Sequence, residues 1–121
     1  MDFELPDAKT AQEQTEAQEE KLNKIIIERM EYFIPKINNN IKQAVNSGKF
    51  NCTVSIPEMA IYKILSRGNE QEYAMFSRFA TPLYITNISL KEYYTDKGYT
   101  FSADSCERFS GISIDIEIGW K

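Results

Sequence analysis

Asp115 and Glu117 come nearer to a catalytic pair than any other residues of this chain. They sit in an alternating run, so both project from one face of a strand about 7 Å apart, which suits two carboxylates for glycoside hydrolysis or two ligands for a metal. No third ligand accompanies them. The reading adopted is that they keep an outer sheet face soluble and discourage edge pairing. Histidine is absent, which removes Ser-His-Asp and Cys-His nucleophile activation and H-E-x-x-H zinc hydrolysis. Cys52 and Cys106 are the only thiols. They lack C-x-x-C spacing, are too few for structural zinc, and read as unpaired, partly buried cysteines, since a reducing compartment opposes their disulfide. Gly48-Lys49 lacks the earlier glycine of a phosphate loop and has Phe50 where the magnesium-binding hydroxyl belongs. Arg67, Arg78 and Arg108 lie in or beside turns, where a shared anion site competes with plain solvation, the usual state of scattered arginines. No catalytic, cofactor or metal residue is assigned, and the chain is read as not an enzyme.

The acidity is concentrated at one end. Residues 1–20 hold seven acids against Lys9, a net −6, whereas residues 21–121 hold thirteen bases against eleven acids, a net +2. An acidic leader disfavours a phosphate backbone, and the remainder lacks a strong basic footprint, so no nucleic-acid partner is expected. No apolar run approaches a membrane span, and Met1-Asp2-Phe3-Glu4 lacks the basic-then-apolar layout of a secretion signal, so no membrane partner is expected either. Asn51-Cys52-Thr53 and Asn87-Ile88-Ser89 resemble glycosylation triplets, with no secretory route to give them consequence. Within the leader, Phe3 and Leu5 resemble the anchors of a docking peptide, with Glu13, Glu16, Glu19 and Glu20 steering it toward a basic surface.

The elements that carry these residues follow from periodicity. Thr10 and Glu13 form a capping box, predicting a helix from near residue 11. Leu22, Ile25, Ile26, Met30, Phe33, Ile34, Ile37, Ile41, Ala44 and Val45 then recur at steps of three and four, a stripe wide enough to pack on a sheet. It ends at Asn46-Ser47-Gly48. Pro35 predicts a kink or break at residues 31–35. An unbroken helix over 11–47 would measure about 55 Å, against about 35 Å for a compact domain of this size, so the helix folds back at Pro35 or its acidic half projects. Phe50 to Ile56, Tyr99 to Ala103 and Ile112 to Trp120 alternate apolar and polar residues, predicting three strands of a largely antiparallel sheet. Ser55 to Glu58, Asn69 to Glu72, and Ser89 to Glu92 read as helix starts, Leu83 to Asn87 as a short extra strand, and Ser105 to Gly111 as the turn of a closing hairpin. The fold class is α+β: a long kinked N-terminal helix and shorter helices on one face of a small, mostly antiparallel three- or four-stranded sheet. Residues 1–20 form an acidic N-terminal extension and residues 21–121 a single domain.

The helix closing with Ile41, Ala44-Val45 and Gly48-Lys49, the strand reaching Val54, the helix leading to Gly98-Tyr99, and the hairpin ending Ile116-x-Ile118-x-Trp120 give an outline similar to small uncharacterised proteins of tailed bacteriophages. The outline covers residues 37–56 and 88–121; the leader and residues 57–87 depart from it. The resemblance implies a phage origin and no catalytic residues. The expectation is a protein-interaction module, a minor virion component or a host-directed inhibitor, located in the virion or host cytoplasm. Its partners would be phage subunits or a host protein, in a homo- or hetero-oligomer. A third class, a small-molecule binder, would use Tyr62, Tyr93, Tyr94 and Trp120 around an apolar pocket.

Overall fold

A continuous right-handed helical rod, Ala8 to Asn46, forms the spine of the computed structural model, which describes residues 4–121. The first helix, α1 (Ala8–Met30), starts at Asp7, whose side chain accepts a hydrogen bond from the Thr10 backbone N–H at 2.8 Å. The cap is therefore Asp7, and Thr10 lies in the first turn; two capping oxygens three residues apart made the start ambiguous. A 3-10 turn, Glu31–Phe33, joins α1 to α2 (Ile34–Asn46). In this turn the Ile34 N–H satisfies the Glu31 carbonyl, the one that Pro35 cannot serve, and Pro35 enters the first turn of α2, where its missing N–H costs least. The backbone keeps right-handed helical dihedrals through this turn, so the rod does not fold back and its acidic half projects.

After Gly48, which takes the positive φ of 74° that ends a helix, the chain enters β1 (Asn51–Pro57). Four helical elements follow: α3 (Glu58–Ser66), α4 (Glu70–Phe79), α5 (Pro82–Thr86) and α6 (Glu92–Thr95), the last two joined by a π turn, Asn87–Lys91. The chain closes with β2 (Thr100–Arg108) and β3 (Gly111–Gly119). The sheet is antiparallel with order β1-β3-β2, so the chain is α+β with three strands.

Leu83–Asn87 is helical, because Thr81 caps the Tyr84 N–H and Pro82 occupies the first position of α5. The other helix-start signals divide. Asn69 caps α4 by accepting from Glu72 N–H. Ser55 is a strand residue, and Ser89 is buried inside a helix with its hydroxyl on the Ile85 carbonyl. The hairpin turn is shorter than expected, since β2 pairs with β3 out to Arg108–Gly111.

Cys52, Val54, Ile56, Phe101, Ala103, Ile114, Ile116 and Ile118 face the helices, meeting the stripe Leu22, Ile26, Met30, Phe33, Ile37 and Ile41. Burial on the rod begins at Leu22. Tyr62 lies in this core with its hydroxyl donating to the Ala80 carbonyl at 2.7 Å, and desolvation, then Glu58, pushes its pKa up to about 12. Because the unfolded phenol ionises near 10 and the folded one resists, stability should fall as pH rises from about 10 to 12. Tyr62→Phe should flatten that decline while costing about 1–2 kcal/mol at pH 7, read by urea unfolding at both pH values.

Candidate functional site

Three surfaces of this fold are built from residues with something to bind. The first is the helical arm, residues 8–21, in which only Thr10 and Ala11 are even partly covered. Its apolar residues are Ala8, Ala11 and Ala17, so no face can pack on the core. Glu13, Glu16, Glu19 and Glu20 lie exposed along it; Glu16 accepts from the Gln12 amide at 3.1 Å, and Glu20 sits 3.6 Å from Lys24. Glu13, Glu16 and Glu20 fall at steps of three and four, on one side of the helix, where like charges oppose one another and weaken an isolated helix. Leu5 precedes the arm, 86% exposed. Phe3 lies outside the described residues.

The second surface is the sheet face turned away from the helices. Register places Thr53 and Ser55 of β1, Ser113, Asp115 and Glu117 of β3, and Ser102, Asp104, Cys106 and Arg108 of β2 on it. Asp115 and Glu117 do share one face. Asp115, however, is engaged: Ser55 Oγ donates to it at 2.5 Å and Arg108 Nη2 at 2.7 Å, while Arg108 Nε donates to Ser113 Oγ at 2.9 Å. The Ser55 hydrogen bond, then those of Arg108 and Cys106, lower the pKa of Asp115 to about 2. A general acid needs the opposite shift. Among the described residues no cluster of three metal-ligating side chains exists.

Arg108 is thereby taken up within the sheet, while Arg67 ends α3 with φ 52° and Arg78 lies in the last turn of α4. Cys52 and Cys106 are both free. They sit on the two outer strands with β3 between them, opposite Ile118 and Ser113 respectively, which keeps them apart. Burial raises the Cys52 thiol, and the Asp115 hydrogen bond raises that of Cys106, so neither is activated as a thiolate.

The Asp115 clasp has a defined pH signature. Its stabilisation is present above the unfolded carboxyl pKa near 4 and is lost as pH falls toward 2. Asp115→Asn should lower the melting temperature by a few degrees at pH 7 and by much less at pH 2, checked by thermal melts at the two pH values.

The third surface was only partly legible. Tyr93, Tyr94, Tyr99 and Trp120 form a chain of rings with centroid separations of 4.9, 6.2 and 6.2 Å. Tyr62 is elsewhere, against Tyr73, so the four aromatic residues expected around one pocket split three to one. Tyr94 is buried and donates to Asn38 Oδ1 at 3.0 Å. Tyr93, Tyr94 and Tyr99 line a 190 Å³ cavity whose rim carries Lys42 and Lys97. Lys97 Nζ stands 4.0 Å from the Tyr93 ring centroid, and Lys121 Nζ is 5.1 Å from that of Phe50. These residues converge because β1 begins, β2 begins and β3 ends at the same end of the sheet.

A separate apolar cavity of 520 Å³ lies between α3 and α4, lined by Met59, Ala60 and Tyr73. By helical spacing residues 69–80 put Tyr73, Phe76 and Ala80 on one face and Met75 and Phe79 on another, yet of these only Phe76 and Ala80 are buried. No family model, curated protein or solved structure matches the chain. No helix among the described residues is long and apolar enough to cross a membrane.

Proposed function

We propose that this protein is a non-enzymatic interaction module whose acidic helical arm docks on a basic surface of another protein subunit, and that it serves as a minor structural component of a tailed-phage particle. The observation that carries the docking reading is the arm itself. Fourteen residues of helix continue past the last buried side chain, with the acids gathered on one side. A helix of that length is marginal in water by itself, and its glutamates repel one another. A basic partner surface would relieve the repulsion and supply the missing packing. The open sheet face, with Asp104 and Glu117 exposed beside the engaged Asp115, offers a second surface of the same sign. Recognition of this kind is steered by charge and weakened by salt. The resemblance to small tailed-phage proteins supports the setting.

Mass spectrometry of purified particles tests that setting. A structural protein is found there in stoichiometric copies. Its absence from particles, with abundance in infected cells, would overturn the structural role and turn the same acidic surfaces toward a host protein, where they would mimic a nucleic acid.

A further inference from the structure

The acidic arm and the lysine-aromatic end lie at opposite ends of one helical rod, and their chemistry is complementary. The rod runs thirty-nine residues from Ala8 to Asn46, about 58 Å at 1.5 Å per residue. At its first end stand Glu4, Leu5 and Asp7, followed by Glu13, Glu16, Glu19 and Glu20. At its second end Lys42, Lys97 and Lys121 lie against the aromatic residues, with Asp96 the acid adjoining Lys97. We propose that the partner of the arm is a second copy of this chain: the arm of one copy docks on the lysine-aromatic end of the next, with Leu5 seated in the cavity between Lys42 and Lys97. This inference rests on the docking role proposed for the arm and names its occupant.

Three observations choose that occupant. The first is charge: the one strongly acidic segment meets a surface where lysines outnumber acids, and Glu4 and Asp7 flank Leu5 as Lys42 and Lys97 flank the cavity. The second is size. An apolar cavity of roughly 150 Å³ accepts a benzene-sized group, so a 190 Å³ cavity walled by tyrosines and Ile41 accepts one leucine side chain. The third is reach. Asp7 and Lys42 are separated by about 50 Å of helix, so a chain cannot fill its own cavity and a neighbour can. Phe50, 56% exposed beside Lys121, extends the apolar surface past the cavity.

Such an interface is heterologous, with different patches on the two partners, and it propagates into a ring or a filament according to its rotation. That geometry yields a test a simple dimer would fail. Wild-type chain in 50 mM salt should self-associate with rising concentration in sedimentation velocity, and 0.5 M salt should reverse it. An arm variant (Glu13, Glu16, Glu19 and Glu20→Gln) and an end variant (Lys42→Gln with Lys97→Gln), whose neutralised surfaces cannot attract each other, each with wild-type circular dichroism, should each associate at least tenfold more weakly than wild type. Mixed together they retain one intact arm and one intact end, and should form a 1:1 heterodimer and nothing larger. Leu5→Ala, which removes no charge, should weaken wild-type assembly severalfold without changing the fold. Wild-type chain that stays monomeric at millimolar concentration in low salt would overturn self-association while leaving a docking arm for a different protein intact. Assembly that persists in both variants, or a mixture that yields no heterodimer, would overturn the assigned surfaces.

Discussion

Replacing Phe76 by alanine should cost about 3–5 kcal/mol of folding stability, the range for deleting a fully buried aromatic ring. Phe76 is the one buried side chain of α4, at 0% exposure. The Arg29 guanidinium carbon lies 6.0 Å from its ring centroid, and the same guanidinium donates to the Leu65 carbonyl and lies 3.5 Å from Glu72 Oε2. One ring therefore ties α4 to the core and supports the arginine that bridges α1 to α3 and α4. A cost of that size is a large part of the 5–15 kcal/mol typical of a small domain. Phe76→Leu, which keeps most of the volume, should cost less than half as much. Urea unfolding of the three proteins checks the ranking; equal stabilities would mean that α4 is not held by this contact.

The second large effect is a contrast within the rod. Amide hydrogens of residues 8–21 should exchange on the order of a thousandfold faster, or more, than those of residues 26–41 in the isolated chain. Past the first turn of α1, and apart from the 3-10 turn Glu31–Phe33, both stretches carry α-helical backbone hydrogen bonds, so bonding alone does not distinguish them. Packing does. Ile26, Met30, Phe33, Ile37 and Ile41 are buried, whereas the arm opens without exposing any core side chain. Hydrogen exchange read by mass spectrometry measures this, and the arm should become protected in the assembled state. An arm as slow as the core in a dilute monomer would mean that it needs no partner to stay folded.

What the sequence revealed followed one-sided burial. The rod's stripe and the alternation in β1 and β3 were legible because each element has a buried face and an open face. Local capping chemistry was less reliable. Ser89 and Ser55 each have a glutamate three residues on, yet one hydroxyl bonds a helical carbonyl and the other bonds Asp115 across the sheet. Leu83–Asn87 has the apolar content of a strand, and the deciding signal was the Thr81-Pro82 pair before it. Ile112 belongs by parity to the buried face but lies at the hairpin end beyond β1, so it is exposed, while Ser113 on the other face is covered by Arg108. The acidic arm was visible as composition, since local charge needs no folding to be counted. The lysine-aromatic end was visible only in part: Tyr93, Tyr94 and Trp120 were grouped with Tyr62, whereas Lys42, Phe50, Lys97 and Tyr99 come from separate segments that meet only in the fold.

The central claim is that the acidic arm is what this protein binds with. The most direct measurement is affinity purification, from the cells in which it is made, of the full chain beside its Glu13, Glu16, Glu19 and Glu20→Gln variant, with circular dichroism showing that both fold alike. A stoichiometric protein, another copy of this chain or a different subunit, should accompany the full chain at low salt. It should be lost about ten- to hundredfold with the variant and in 0.5 M salt. Equal recovery of the same protein by both chains would contradict the claim.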